Sequence, residues 1–166
     1  MSRRHRPPRR LARPPSASGR QPTPKRQGEL AELCFAHRAA RLGLVVSKPY
    51  GDCAPYDFVV DGAGNLRRVQ VKSVSVPDRS AYRVSAGHGG SSKLGYTRNE
   101  VDVLAVYVIP ADAWYLIPIE ELAARRTIRL APDVPHSRRR FEPYRERWRI
   151  LGARAHGPSQ DSTSDT

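Results

Sequence analysis

Cysteine is scarce in this chain. Cys34 and Cys53 are the only two, and neither has a cysteine or histidine partner at zinc-like spacing, which excludes a zinc ribbon or finger. Both are expected to stay reduced thiols in a cytoplasmic protein. No apolar run approaches the roughly 20 residues that span a bilayer, so no membrane segment is expected. The first residues hold arginines and prolines without an apolar stretch, so no signal peptide is expected either. Acidic residues are absent from residues 1–24, and no internal repeat is visible. The glycine-rich stretch from Ala86 to Gly95 lacks the Gly-Lys-[Ser/Thr] ending of a nucleotide phosphate loop, which removes that class of site.

Positive charge is what the chain has in excess. Over 166 residues, 29 Lys and Arg against 16 Asp and Glu leave a net charge of +13 and a pI near 10.6. Such a balance calls for a polyanionic partner, and with nothing to favour a membrane that partner is nucleic acid. Residues 1–24 carry seven arginines and six prolines, too little apolar surface to fold alone. This segment either solubilises the chain or binds phosphates without reading sequence, with an affinity that falls steeply with salt. The length suits one domain, placed at residues 25–151, followed by a disordered polar tail at 152–166.

Thr23-Pro24 reads as an N-cap with proline in the first turn. The helix should run to about Leu42 and close at Gly43, with an apolar stripe of Leu30, Leu33, Cys34, Ala40 and Leu44. Short strands are expected at Leu44 to Val46 and Tyr82 to Ser85. A second apolar hairpin is expected from Val103 to Ile109 and Trp114 to Ile117, then a short helix from Glu120 to Arg125 and a strand from Thr127 to Leu130. Between Arg138 and Arg149, basic residues alternate with Phe141, Tyr144 and Trp148. That composition suits either backbone contact with base stacking or docking of the aromatics on the core.

The most informative stretch is Tyr56 to Ser73. Two β-rich runs flank Asp61-Gly62-Ala63-Gly64-Asn65 and should pair as an antiparallel hairpin. A turn centred between Ala63 and Gly64 sets Asp57 opposite Gln70 and places Gln70 and Lys72 on one face; a slip of one residue would turn both away. Asp57, the Gln70 side-chain oxygen and the Val71 carbonyl then offer hard oxygen ligands of the kind Mg2+ takes. Lys72 offers a cation for developing negative charge. The same spacing also fits a turn-capping aspartate and a solvated edge strand, and spacing alone does not bring Glu29 to the pocket.

The order of elements separates these readings: helix-borne Gly28-Glu29, then Y-D-F-V-V-D, R-V-Q-V-K-S, an isolated Tyr96, and V-D-V-L-A-V-Y with W-Y-L-I-P-I. Over about residues 25–130 this resembles the PD-(D/E)XK nuclease superfamily, in its branch of group I intron homing endonucleases, where Gln replaces the first acid of the (D/E)XK element. The resemblance implies an α/β fold with a central mixed β-sheet of four or five strands flanked by helices, a restriction-endonuclease-like core. It implies Glu29 as the helix-borne acid, Asp57 as the metal-binding aspartate, Gln70 at the substituted acidic position and Lys72 as the catalytic lysine, with Mg2+ as cofactor and Mn2+ as its substitute. Tyr56 stands directly before the aspartate where the usual pattern has proline, with Pro55 one position earlier. Lys93, Tyr96, Arg98, Arg138, Arg139 and Arg140 are the expected DNA contacts, and cutting both strands implies at least a homodimer. A nuclease-fold DNA-binding module without turnover, and an RNA- or nucleoid-binding protein working through its arginine tail, stand as the alternatives.

Overall fold

The structure, a computed structural model, describes residues 22–51, 53–88, 94–123, 125–134 and 139–153. The expectations for the two tails before residue 22 and after residue 153, and for Lys93 and Arg138, lie outside the described residues.

The helix α1 spans Pro24–Arg41 and starts as its sequence directs. The Thr23 hydroxyl oxygen accepts from the Arg26 N–H at 3.4 Å, and Pro24 takes the first turn, where its missing N–H costs nothing. After Leu42 the chain turns through Gly43 at φ 77°, a left-handed position that disfavours any side chain. The buried face differs from the expected one. It consists of Ala31, Phe35 and Ala39, whereas Leu30 and Leu33 are 46% and 67% exposed and Cys34 and Ala40 also face outward. Of the expected stripe only Leu44 is buried. Small residues decided the orientation: Ala31 and Ala39 let the helix approach the sheet closely, and Phe35 fills the space between them. Its ring stacks on Phe58 at 5.4 Å and meets Trp114 and Trp148 at 5.6 Å each. Full burial of a ring this size contributes about 3 kcal/mol.

Among the described residues nine strands follow α1: β1 (Val45–Ser47), β2 (Phe58–Gly62), β3 (Asn65–Val74), β4 (Tyr82–Ser85), β5 (Gly87–His88), β6 (Leu94–Gly95), β7 (Val103–Val108), β8 (Ala113–Pro118) and β9 (Thr127–Leu130). Five of them form one mixed sheet in the order β1-β2-β3-β7-β8, antiparallel except for the parallel pair β3 and β7. Alternation along β7 divides the core. Val103 and Ala105 face α1 with Val69, Val71 and Leu116, while Leu104, Val106 and Val108 face the other side with Tyr115 and Ile117.

That second side is covered, among the described residues, by a ribbon of β4 and β9, which contributes Tyr82, Val84, Ile128 and Leu130, and not by an α-helix. The expected short helix at Glu120 to Arg125 is a 3-10 turn over Ile119–Leu122 that ends at Ala123, whose φ of 45° cannot continue a helix. One α-helix therefore flanks the sheet among the described residues, where helices in the plural were expected. The C-terminal aromatics point inward: Phe141 and Trp148 are buried and Tyr144 packs on the core, so docking and not base stacking is their role. This strap crosses β2 where two glycines meet. A Cβ on Gly62 would lie 1.9 Å from the Leu151 carbonyl oxygen, and Gly152 holds φ 86°.

Candidate active site

The site is built by the register of the β2–β3 hairpin. Ala63 at φ 56° and Gly64 at φ 86° form a two-residue turn with the hand that matches strand twist, and Asp61 Oδ1 accepts from the Gly64 N–H at 2.8 Å. Phe58 pairs with Val69, so Asp57 lies opposite Gln70 as its sequence position requires, with its N–H donating to the Val69 carbonyl at 2.9 Å. β2 begins at Phe58, whereas β3 runs on to Val74. Past the end of β2, and against the first turns of α1, lies a hollow of about 420 Å³ lined by Gly28, Glu32, Asp57, Gln70, Lys72 and Ser73 among others. Gln27 fastens the helix there, donating to Ser73 Oγ at 3.2 Å and accepting from Ser75 Oγ at 3.0 Å.

Asp57 Oδ2 accepts two hydrogen bonds, from the Val71 N–H at 2.7 Å and from Gln70 Nε2 at 2.5 Å. Gln70 Nε2 also donates to the Val71 carbonyl at 3.3 Å. Both neighbours are acceptors, so the nitrogen end of the amide must face them. An amide NH2, the positive end of its dipole, thus stands where a carboxylate and a peptide oxygen converge, which is the position a small hard cation favours. Turned over, the Gln70 amide would add a third oxygen, and that set fits Mg2+. Among the described residues no group of three His, Cys, Asp or Glu lies together, so the fit rests on this mixture of oxygens. Burial pushes the Asp57 carboxyl above its ordinary range; the Val71 N–H opposes the shift, Glu32 adds to it, and Lys72 and Lys48 oppose it.

The helix carboxylate in this hollow is Glu32, not Glu29. At about 100° per residue, Glu32 sits roughly 60° and Glu29 roughly 120° from Phe35 at the centre of the buried stripe. Glu29 is exposed and lines a separate hollow with Leu30 and Leu33. Glu32 Oε2 accepts from Lys48 Nζ at 2.6 Å, and Lys48 lies 5.8 Å from the Phe58 ring centroid. Sequence reasoning missed Glu32 and Lys48 because it took the leucines as the inward face. Alanines at 31 and 39, four residues either side of Phe35, were the available signal.

Lys72 lines the hollow with its Nζ 5.8 Å from the centroid of the Tyr96 ring. Tyr96 is buried in the apolar cluster, and its hydroxyl pKa is pushed up to about 12 by burial and by the charges of Asp57 and Glu100. Arg98 is exposed on the turn that follows. Arg139 Nη2 donates to Ser80 Oγ at 3.3 Å, and Arg140 Nη2 donates to the Glu121 carbonyl at 3.0 Å, so both are fastened to neighbouring surface loops.

Comparison with known proteins gives a family and a fold. The PD-(D/E)XK endonuclease family profile matches residues 23–151. A solved bacterial homing endonuclease, I-Ssp6803I, superposes with a TM-score of 0.68 at 29% sequence identity, over 77% of this chain and 92% of that one. No curated protein matches the sequence.

Proposed function

The chain belongs to the PD-(D/E)XK endonuclease family, and on that footing we propose that it is a Mg2+-dependent DNA endonuclease of the homing type. The observation that best supports the reading is the convergence of Asp57 Oδ2 and the Val71 carbonyl on the Gln70 amide, in one hollow with Lys72. We assign Asp57, Gln70 and the Val71 carbonyl as cation ligands, Lys72 as the catalytic lysine, and Glu32, in place of Glu29, as the helix-borne acid. When bound, the cation supplies Lewis-acid chemistry, neutralising phosphate charge and acidifying water.

The chain's own residues do the rest. Lys72 brings an ammonium beside the scissile phosphate, where its attraction grows as negative charge develops on the phosphate oxygens. The Val71 N–H holds Asp57 Oδ2 in place, so the carboxylate is oriented before any ligand arrives. Glu32, held by Lys48, adds a carboxylate at the hollow's helix wall. The excess of positive charge favours a DNA backbone, with Arg98 and Arg140 as contacts, and cutting both strands calls for two copies of the chain acting in the cytoplasm.

The test is incubation of the purified protein with supercoiled plasmid and genomic DNA in Mg2+, Mn2+ or EDTA. Nicked or linear product with either metal and none with EDTA is expected. DNA binding without cutting under every metal condition would leave only a binding module on a nuclease fold.

A further inference from the structure

We propose that Arg68 is a positioning residue for this site: it clamps the turn that carries Tyr96 and so holds the ring against which the Lys72 ammonium rests. The proposal rests on the assignment of Lys72 made above. Alternation along β3 puts Arg68, Gln70 and Lys72 on one face of the strand, away from Val69 and Val71. In a chain this basic, an arginine next to Arg67 would ordinarily meet phosphate. Arg68 is instead turned onto the protein.

Its guanidinium forks on Asp102, with Nε at 3.1 Å from Oδ2 and Nη2 at 2.9 Å from Oδ1. The Arg68 main chain adds two bonds, its N–H donating to Asp102 Oδ2 at 2.7 Å and its carbonyl accepting from the Asp102 N–H at 2.9 Å. The remaining donors reach into the turn itself, Nη2 to the Arg98 carbonyl at 2.6 Å and Nη1 to the Asn99 carbonyl. One side chain thus grips this stretch at three residues, Arg98, Asn99 and Asp102. Burial pushes the Asp102 carboxyl up, and the bonds and charge of Arg68 outweigh it and hold the pKa below its ordinary range.

The near end of the turn is tied as firmly. Glu100 Oε2 accepts from the Thr97 N–H at 2.9 Å and from its hydroxyl at 2.8 Å, and the Val101 N–H donates to the Thr97 carbonyl at 3.0 Å. Tyr96 directly precedes Thr97, is 8% exposed, and shares an apolar cluster with Val106, the residue paired with Lys72 across β3 and β7. The chain of contact runs from Arg68 through the turn to Tyr96 and back to Lys72, four positions further along the same strand. Without the fork the Arg68 side keeps only its two main-chain bonds to Asp102, neither of which reaches the Arg98 and Asn99 carbonyls, so the turn next to Tyr96 is held less firmly.

Lysine cannot replace this arginine, because a single ammonium cannot fork on a carboxylate and reach two carbonyls as well. The substitutions Arg68→Met and Arg68→Lys, compared with Tyr96→Leu, test the idea. The first readout is steady-state cleavage of plasmid DNA over a range of DNA concentrations. The second is the NMR resonance of 13C-labelled lysine Cε, in which the Tyr96 ring current marks Lys72. Both Arg68 variants should lower kcat by about 10- to 100-fold, the scale of a misplaced catalytic group, with KM for DNA within about twofold. Both should also lose the ring-current displacement of the Lys72 signal. Arg68→Met combined with Tyr96→Leu should be no worse than either alone.

A raised KM with unchanged kcat would show Arg68 to be a DNA contact and overturn the proposal, as would a Lys72 resonance unmoved by Arg68→Met. Should Arg68→Met fail to fold, Asp102→Asn loosens the same fork more gently and is read the same way. The NMR readout needs no turnover. If the wild type cuts no DNA, the endonuclease reading fails while the resonance alone still decides whether Arg68 sets the Lys72–Tyr96 contact.

Discussion

Glu32→Gln and Glu29→Gln are the same chemical change one helical turn apart, and the structure gives them opposite consequences. Glu32 Oε2 meets Lys48 Nζ at 2.6 Å, with the two side chains 23% and 63% exposed. An ion pair at that boundary contributes about 0.3–1 kcal/mol. Removing the Glu32 charge also relieves Asp57, whose pKa it helps to raise, so part of the loss is returned. Glu32→Gln should therefore cost under about 1 kcal/mol, a fall in Tm of a few degrees for a domain of this size. Glu29→Gln, exposed on the outer face, should change stability by less than about 0.5 kcal/mol. Activity separates them far more. Loss of a carboxylate beside a cation site lowers metal affinity or rate by about 10- to 100-fold, so Glu32→Gln should lose that much while Glu29→Gln cuts like wild type. The assays are plasmid cleavage across a Mg2+ series and calorimetric titration of Mg2+. Normal cutting by Glu32→Gln together with loss in Glu29→Gln would refute the helix orientation and the site built on it.

Asp57→Asn should abolish cleavage without harming the metal-free fold, because both hydrogen bonds to Asp57 end on Oδ2 and an asparagine oxygen in that place accepts both. The sign follows from the raised pKa: above the ordinary value of 3.8 the folded state binds more protons than the unfolded one, so wild-type stability falls as pH rises through that window and stays reduced at neutrality. Thermal melts in EDTA should show Asp57→Asn equal to or above wild type at pH 7, with the gap closing toward pH 3; a large drop at pH 7 would make Asp57 a structural residue. Gly62→Ala should cost at least about 1–3 kcal/mol in urea unfolding, since its Cβ would sit 1.9 Å from the Leu151 carbonyl oxygen and force the strap off β2. Gly28→Ala meets nothing within 4 Å and should raise helix stability by about 0.5–1 kcal/mol, read by the same unfolding curve.

The hairpin and its register were legible because every signal in that stretch is local. Turn residues with positive φ, strand alternation and the separation of Asp57 from Gln70 all agree, and the observed pairing of Phe58 with Val69 follows from them. The second hairpin was legible for the same reason, whereas the mixed sheet, expected with four or five strands, came from the resemblance, because the parallel pairing of β3 with β7 spans more than 30 residues. The helix face was not legible, because it is fixed across the molecule by what α1 packs against. Ala31, Phe35 and Ala39, spaced four apart, were a faint local signal of the buried face, and the larger leucines outweighed it in the sequence. The misplaced face also set Glu29 toward the pocket, where the structure has Glu32 lining it and Glu29 exposed. Arg68 was hidden in a different way: a basic chain makes every arginine look like a phosphate contact, and only the position of Asp102, 34 residues on, shows this one turned inward.

Single-turnover cleavage of supercoiled plasmid by wild type and Lys72→Ala, each in Mg2+ and in EDTA with DNA binding measured in parallel, tests the endonuclease assignment most directly. Wild type should nick or linearise the plasmid in Mg2+ and leave it intact in EDTA. Lys72→Ala should bind within a few-fold of wild type yet cut at least about 10²-fold more slowly, since the lysine serves the transition state more than the ground state. Cleavage that persists in EDTA, or a Lys72→Ala protein that cuts at the wild-type rate, would contradict the assignment.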